Sequence, residues 1–261
     1  MARSWPAPAS VASAAGLDIH RIGLADLRGA LHQGWQDFLA APTQLLFLGV
    51  LYPAVGLIAA AIAAQRDAIH LLYPMAAGFA LIGPVAALGL YEISRRREQG
   101  LPVRWLDALA VLRAPAIGAI LALALLLVAI FVAWLWTADA IHAATLGRLP
   151  PDTDILQALT GTAEGRRLIL FGNAAGFVFA VLVLVLTAFS FPFLLDRGGS
   201  ALRAVAVSVR AFAVNPLPMI VWGAIVAALL ILGSLPIFVG LAVVLPVLGH
   251  ATWHLYRRVV G

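Results

Sequence analysis

From Ala211 to Gly249 the chain carries no acidic residue and no arginine or lysine. A membrane helix needs about 20 apolar residues to cross roughly 30 Å of hydrocarbon. This run has room for two such helices, folded back at Gly233-Ser234-Leu235-Pro236. Its far end brings His250 and His254, four residues apart, and then Arg257-Arg258. Upstream the pattern changes. Between Leu24 and Ala41, apolar Leu24, Leu27, Leu31, Trp35, Phe38 and Leu39 recur at helical spacing. Asp26, Arg28, His32, Gln33, Gln36 and Asp37 fall on the opposite face. That periodicity predicts an amphipathic helix, too polar to span and suited to a membrane surface.

The remaining pattern predicts six spans. Pro42 opens the first, about 43–64, and a turn at Gln65-Arg66-Asp67 leads to the second, about 69–94. A second amphipathic stretch, Pro102 to Arg113, precedes span three, which Pro115 opens and Trp136 closes. Thr137 to Arg167 reads as the one long loop, and Leu168 to Leu195 as span four. Ser200 is placed to cap a third amphipathic helix ending at Val214. Pro216 then opens span five, and span six ends at Arg257-Arg258. Proline suits a first helical turn, where its missing N–H costs nothing.

Three rounds of surface helix, proline-started span and returning span predict an internal repeat, with units of about 22–100, 101–198 and 199–258. The exits agree in order: Pro84 leads to Tyr91-Glu92 and Arg95-Arg96, and Pro246 to Trp253-His254 and Arg257-Arg258. The expected architecture is therefore an all-α polytopic membrane protein, with residues 22–258 as a single membrane domain behind a flexible tail, 1–21. With the N-terminus inside, 13 arginines fall on the cytoplasmic side and four opposite. This bias predicts cytoplasmic N- and C-termini in an inner membrane.

Composition narrows the chemistry. Of 261 residues, 63% are hydrophobic and only 11% charged, against about 25% charged in soluble domains. Cysteine is absent, which excludes disulfides, thiolate metal sites and cysteine nucleophiles. All 17 basic residues are arginine, and they flank the spans, so the net charge of +5 points to anionic lipid headgroups and not to nucleic acid.

Several motifs carry a resemblance. Gly78-Phe79 with Gly83-Pro84 and Gly89-Leu90-Tyr91-Glu92, then Ser94-Arg95-Arg96-Arg97-Glu98 and Gly100, is one. Leu194-Leu195-Asp196-Arg197 and the closing Gly249-His250-Ala251-Thr252-Trp253-His254-Leu255-Tyr256-Arg257 are the others. Together, over roughly Ile22 to Arg258, they resemble a bacterial integral-membrane family known as domain-of-unknown-function family 2189. The resemblance implies six spans in an inner membrane and implies no activity.

The candidate site residues are few. His250 and His254 share a helix face and can ligate one divalent metal or a haem iron, with Glu92 or Asp196 as a further ligand. The alternative is that both imidazoles hydrogen-bond at the interface with no cofactor, and that Glu92 pairs with Arg95 and Arg96. Asn173, between Gly172 and Gly176, is placed for a hydrogen bond across a close helix contact or along a solute path. Arg95, Arg96, Arg97, Arg257 and Arg258 are placed for lipid headgroups. No phosphate loop, nucleophile elbow or catalytic carboxylate pair is present, so the chain reads as non-enzymatic. It is expected to work by packing, alone as a homo-oligomer or with a membrane-protein partner. The alternative is a transporter or channel for a small solute or ion.

Overall fold

A computed structural model describes residues 18–41, 70–148, 155–236 and 239–260. The first expected span and most of the N-terminal tail lie outside the described residues. Every regular element among the described residues is helical. In chain order these are α1 (Leu24–Ala40), α2 (Leu72–Phe79), α3 (Gly83–Ala86), α4 (Leu88–Glu98), α5 (Ile117–Ala144), α6 (Ile155–Gly161), α7 (Ala163–Thr187), α8 (Ser190–Arg197), α9 (Ala201–Val214), α10 (Pro216–Ser234) and α11 (Leu241–Val260).

Among the described residues, three helices are long and apolar enough to cross a membrane. They cover Ile117–Ala144, Ala163–Arg197 and Pro216–Ser234, the places of expected spans three, four and five. Pro216 sits in the first turn of α10 as expected. Expected span two is not a continuous helix. α2 passes into 3₁₀ turns at Ala80–Ile82 and then into the four-residue α3. Pro84 has no N–H to continue the ladder, and Gly83 beside it is a weak helix former. The expected loop at Thr137–Arg167 needs correcting too. α5 runs on to Ala144, and Ile155–Gly161 is helical. Ala138, Ala140, Ala143 and Ala144 favour a helix, and Thr137 donates its hydroxyl to the Ala133 carbonyl at 2.8 Å.

The chain forms two compact units. The first takes Met1–Leu48, Pro84–Leu123 and Val185–Gly261; the second takes Gly49–Gly83 and Ala124–Leu184. In the first unit α11 is the central element. Its Trp253, Leu255 and Tyr256 are fully buried, with Phe189, Phe191 and Phe193 from α8 and the turn before it. Tyr256 packs against Phe189 and Trp253 at ring-centroid distances of 6.2 and 5.6 Å.

The three amphipathic segments all sit in this unit, and they sit inside out. On α1 the buried stripe is Leu27, Ala30, Gly34 and Asp37, while Leu24, Trp35 and Leu39 are exposed. The second segment, Trp105–Arg113, is a 3₁₀ helix that buries Ala108 and Val111 and exposes Leu106, Leu109 and Leu112. On α9, Ala204, Ser208 and Ala211 are buried, and Leu202 and Val209 are exposed. Small residues let backbones approach closely. A Cβ on Gly34 would stand 2.6 Å from the Ala251 amide nitrogen and 2.7 Å from the Val247 carbonyl oxygen. Apart from Leu27, Val111 and Val207, which are buried, most of the large apolar side chains look outward.

In the second unit, α2 lies against α5. Gly78 meets the rings of Phe131 and Trp134, and Trp134 donates its indole N–H to the Pro74 carbonyl at 2.8 Å.

Candidate functional site

The inward stripe on α1 ends in a carboxylate. Asp37 is only 5% exposed, because it faces α4 and α11 where those helices run side by side. Helical spacing then fixes its partners. Ser94 and Arg97, three residues apart on α4, reach it from one side, and His254 on α11 reaches it from the other. Arg97 Nε donates to Oδ1 at 2.7 Å. His254 Nε2 stands 2.8 Å from Oδ2, and the Ser94 hydroxyl donates to the same oxygen at 2.5 Å. Both oxygens are therefore occupied, as a buried carboxylate requires.

The chain of bonds continues inward. Ser94 Oγ also meets His250 Nδ1 at 2.8 Å, and both residues are completely buried. A hydroxyl has one proton. If that proton goes to Asp37, the Ser94–His250 contact calls for the tautomer with its proton on Nδ1. His254, Asp37, Ser94 and His250 thus form one hydrogen-bonded series across three helices. Burial by itself would raise the Asp37 carboxyl. The hydrogen bonds from His254 and Ser94, with the fields of the two imidazoles, outweigh burial and hold it below the usual aspartate value.

A second network ties α4, α8 and α11. Glu98 accepts from Trp253 Nε1 at 3.1 Å and from Arg257 Nε at 3.0 Å. Asp196 accepts from the Tyr256 hydroxyl at 2.9 Å, from Arg257 Nη1 at 3.3 Å and from Arg197 Nε at 3.1 Å. Arg258 spans from α11 to Asp26 (3.1 Å) and Gln33 (2.9 Å) on α1. Beside these bonds lies an open hollow of about 550 Å³, lined by Gln33, Asp37, Arg97, His254, Arg257 and Arg258 among others.

The sequence candidates land as follows. His250 and His254 do share a face of α11, but each turns to an acceptor or hydroxyl of another helix. Glu92 does not join them: Arg95 holds it with bonds of 2.8 and 3.1 Å, and Arg96 stands 3.9 Å away. Asp196 goes to Tyr256 and the arginines. Among the described residues no three His, Asp or Glu side chains converge as a metal-ligand set. Asn173 accepts from the Tyr73 hydroxyl at 3.3 Å, which links α7 to α2, and donates to its own helix at Ile169. The close approach expected at Gly172 and Gly176 is one-sided. A Cβ on Gly172 would meet nothing, whereas one on Gly176 would lie 3.3 Å from the Trp134 ring.

Three participants were not foreseen. Asp37 was placed on the polar, outward face, and Ser94 was only a span end. Asn215 clamps the extended segment before α1, accepting from Ile22 N (2.9 Å) and donating to His20 O (3.0 Å). The available signal was pairing: two histidines facing inward require an acid, and Asp37 is the one acid late in an amphipathic helix rich in small residues.

Apolar spans and an ion-paired helical edge define a helical integral membrane protein. Residues 72–196 match the model of the family described as "Predicted integral membrane protein (DUF2189)", the family that the motifs resemble. The matched residues include Glu92, Arg95, Asn173 and Asp196, and stop short of α1 and α11. No curated protein and no solved structure matches the chain.

Proposed function

We propose that this is a six-span inner-membrane protein, built on three repeats, that acts without catalysis as a packing or assembly component of a membrane complex. One observation carries the reading. The carboxylates at the conjunction of α1, α4, α8 and α11 already accept from neighbours on the oxygens a reaction would use. Pairs of this kind lock helices together. The arginine bias supports cytoplasmic termini, with Arg95, Arg96, Arg97, Arg257 and Arg258 at the headgroup level. The outward-facing large residues of the amphipathic segments support a place on the bilayer surface.

The test is purification of the tagged chain from its native membrane in mild detergent, followed by a native gel and mass spectrometry. A stoichiometric second protein is the expected result. A homogeneous band of this chain alone overturns the assembly reading and favours solute passage, for which the Tyr73–Asn173 contact is the starting point. A metal or haem at His250 and His254 would have to displace Ser94 and Asp37. Metal content that falls in the His250→Ala, His254→Ala double variant would establish it.

A further inference from the structure

We infer that the hollow beside Asp37 is a binding site for a phosphate-bearing anion, held by Arg97, Arg257 and Arg258 with His254 and Gln33 beside them. This deepens the headgroup reading above, because it replaces a diffuse basic surface with one discrete site. The argument rests on what is spent and what is left. Each guanidinium carries five N–H donors. In the bonds described, Arg97 commits one of them, Arg257 two and Arg258 two. Of about four acceptor positions on each carboxylate, Asp37 has filled three and Glu98 two. Asp37 accepts on both oxygens, from Arg97, His254 and Ser94, and Glu98 accepts on both, from Arg257 and Trp253. What the hollow still offers is therefore mainly donors.

Charge agrees. The lining itself holds three arginines against Asp37 and Glu98, and the further carboxylates that Arg257 and Arg258 meet, Asp196 and Asp26, are not among the lining residues. A phosphate group matches this supply, since it presents three or four acceptor oxygens and arginine meets it in bidentate fashion. The hollow is open, about 550 Å³, within the usual size of ligand sites. The carboxylates hold the guanidiniums in place, so the donors are pre-positioned before the ligand arrives. A carboxylate ligand would use fewer of them.

The phosphate can belong to a lipid headgroup or to a soluble molecule, and the two are separable. The full chain in detergent is titrated with phosphatidic acid, with phosphatidylglycerol and with inorganic phosphate, and bound ligand is read by native mass spectrometry and equilibrium dialysis. The expected result is saturable binding of one phosphate-bearing ligand per chain, weakened at least tenfold in the Arg97→Gln, Arg257→Gln double variant. Binding should be unchanged in Arg210→Gln, whose side chain is exposed on α9 and outside the hollow. Lipid binding without phosphate binding assigns the site to a headgroup. Phosphate binding that competes with lipid assigns it to a soluble phosphate, and removes the headgroup part without touching the assembly reading.

Binding of neither ligand, or binding indifferent to the arginine variants, overturns the proposal. Should the double variant not stay monodisperse, Gly29→Ala serves. Its methyl would stand 2.5–2.8 Å from the Arg258 guanidinium, moving that head without removing its charge. Undiminished affinity in that variant and in Arg258→Gln also overturns the site.

Discussion

Among the described residues, two aspartate–histidine contacts share the same length in opposite circumstances. In the first unit His254 Nε2 lies 2.8 Å from Asp37, with side-chain exposures of 15% and 8%. In the second unit His70 Nε2 lies 2.8 Å from Asp139, with exposures of 21% and 57%. Distance does not distinguish them. Asp37 is locked by three further groups, Arg97, Ser94 and, through Ser94, His250. Asp139 is mostly in solvent, and its histidine finds a second neighbour in the stacked ring of His142, at 4.2 Å between centroids. Exposed ion pairs contribute about 0–1 kcal/mol, whereas removing one partner of a buried pair costs about 3–5 kcal/mol. The lesson is that the charge left behind decides the cost.

The largest expected effect is therefore Asp37→Ala. It strands Arg97, His254 and Ser94 together and should lower unfolding stability by about 3–5 kcal/mol, measured by thermal or denaturant unfolding in detergent. A loss below about 1 kcal/mol would erase the contrast between the two pairs. The same carboxyl sharpens the comparison through pH. Its value in the fold is lowered, so its stabilising contribution is complete above about pH 4, the unfolded aspartate value. That contribution is lost as pH falls further through the folded value. Melting curves between pH 5 and 2 should show an acid-side drop that Asp37→Asn flattens and Asp139→Asn leaves in place.

Next is Gly34→Ala. Its added methyl meets backbone atoms of α11, which cannot move aside singly, and a cost of about 1–3 kcal/mol is expected. Asp139→Ala should stay within about 1 kcal/mol of the parent; a larger loss would mean that the exposed pair does structural work. The smallest effect, and the only favourable one, is expected of Gly29→Ala. Its obstacle is the movable tip of Arg258, and alanine in a helix gains about 0.5–1 kcal/mol over glycine.

Much of this fold was legible. Apolar runs located the spans at 117–144, 163–197 and 216–234 because a bilayer demands long uncharged helices. Helical periodicity located α1 and α9, and Ser200 does cap α9 by accepting from the Arg203 amide at 3.3 Å. The periodicity of each surface segment marked its apolar face and left open which side meets protein. Amphipathic periodicity tells which side avoids water, and in a membrane the large side chains can satisfy that demand against lipid. The protein-facing stripe is then chosen by size, through Ala30, Gly34, Ala204 and Ala211. That choice carried Asp37 inward with it. The histidine spacing correctly marked α11 as a polar hub, but spacing within one helix cannot show that the acid comes from 217 residues away.

That separation bears on the order in which the chain is made. α1 emerges before α11, yet the surface that buries its Ala30, Gly34 and Asp37 is supplied largely by α11. At about 5–20 residues per second, roughly ten to forty seconds of synthesis pass before Asp37 meets His254. Throughout that interval α1 waits with its partner unborn. The split between its faces suits the wait: Leu24, Trp35 and Leu39 are exposed whether or not α11 is there, and only the stripe of Ala30, Gly34 and Asp37 needs α11 to cover it.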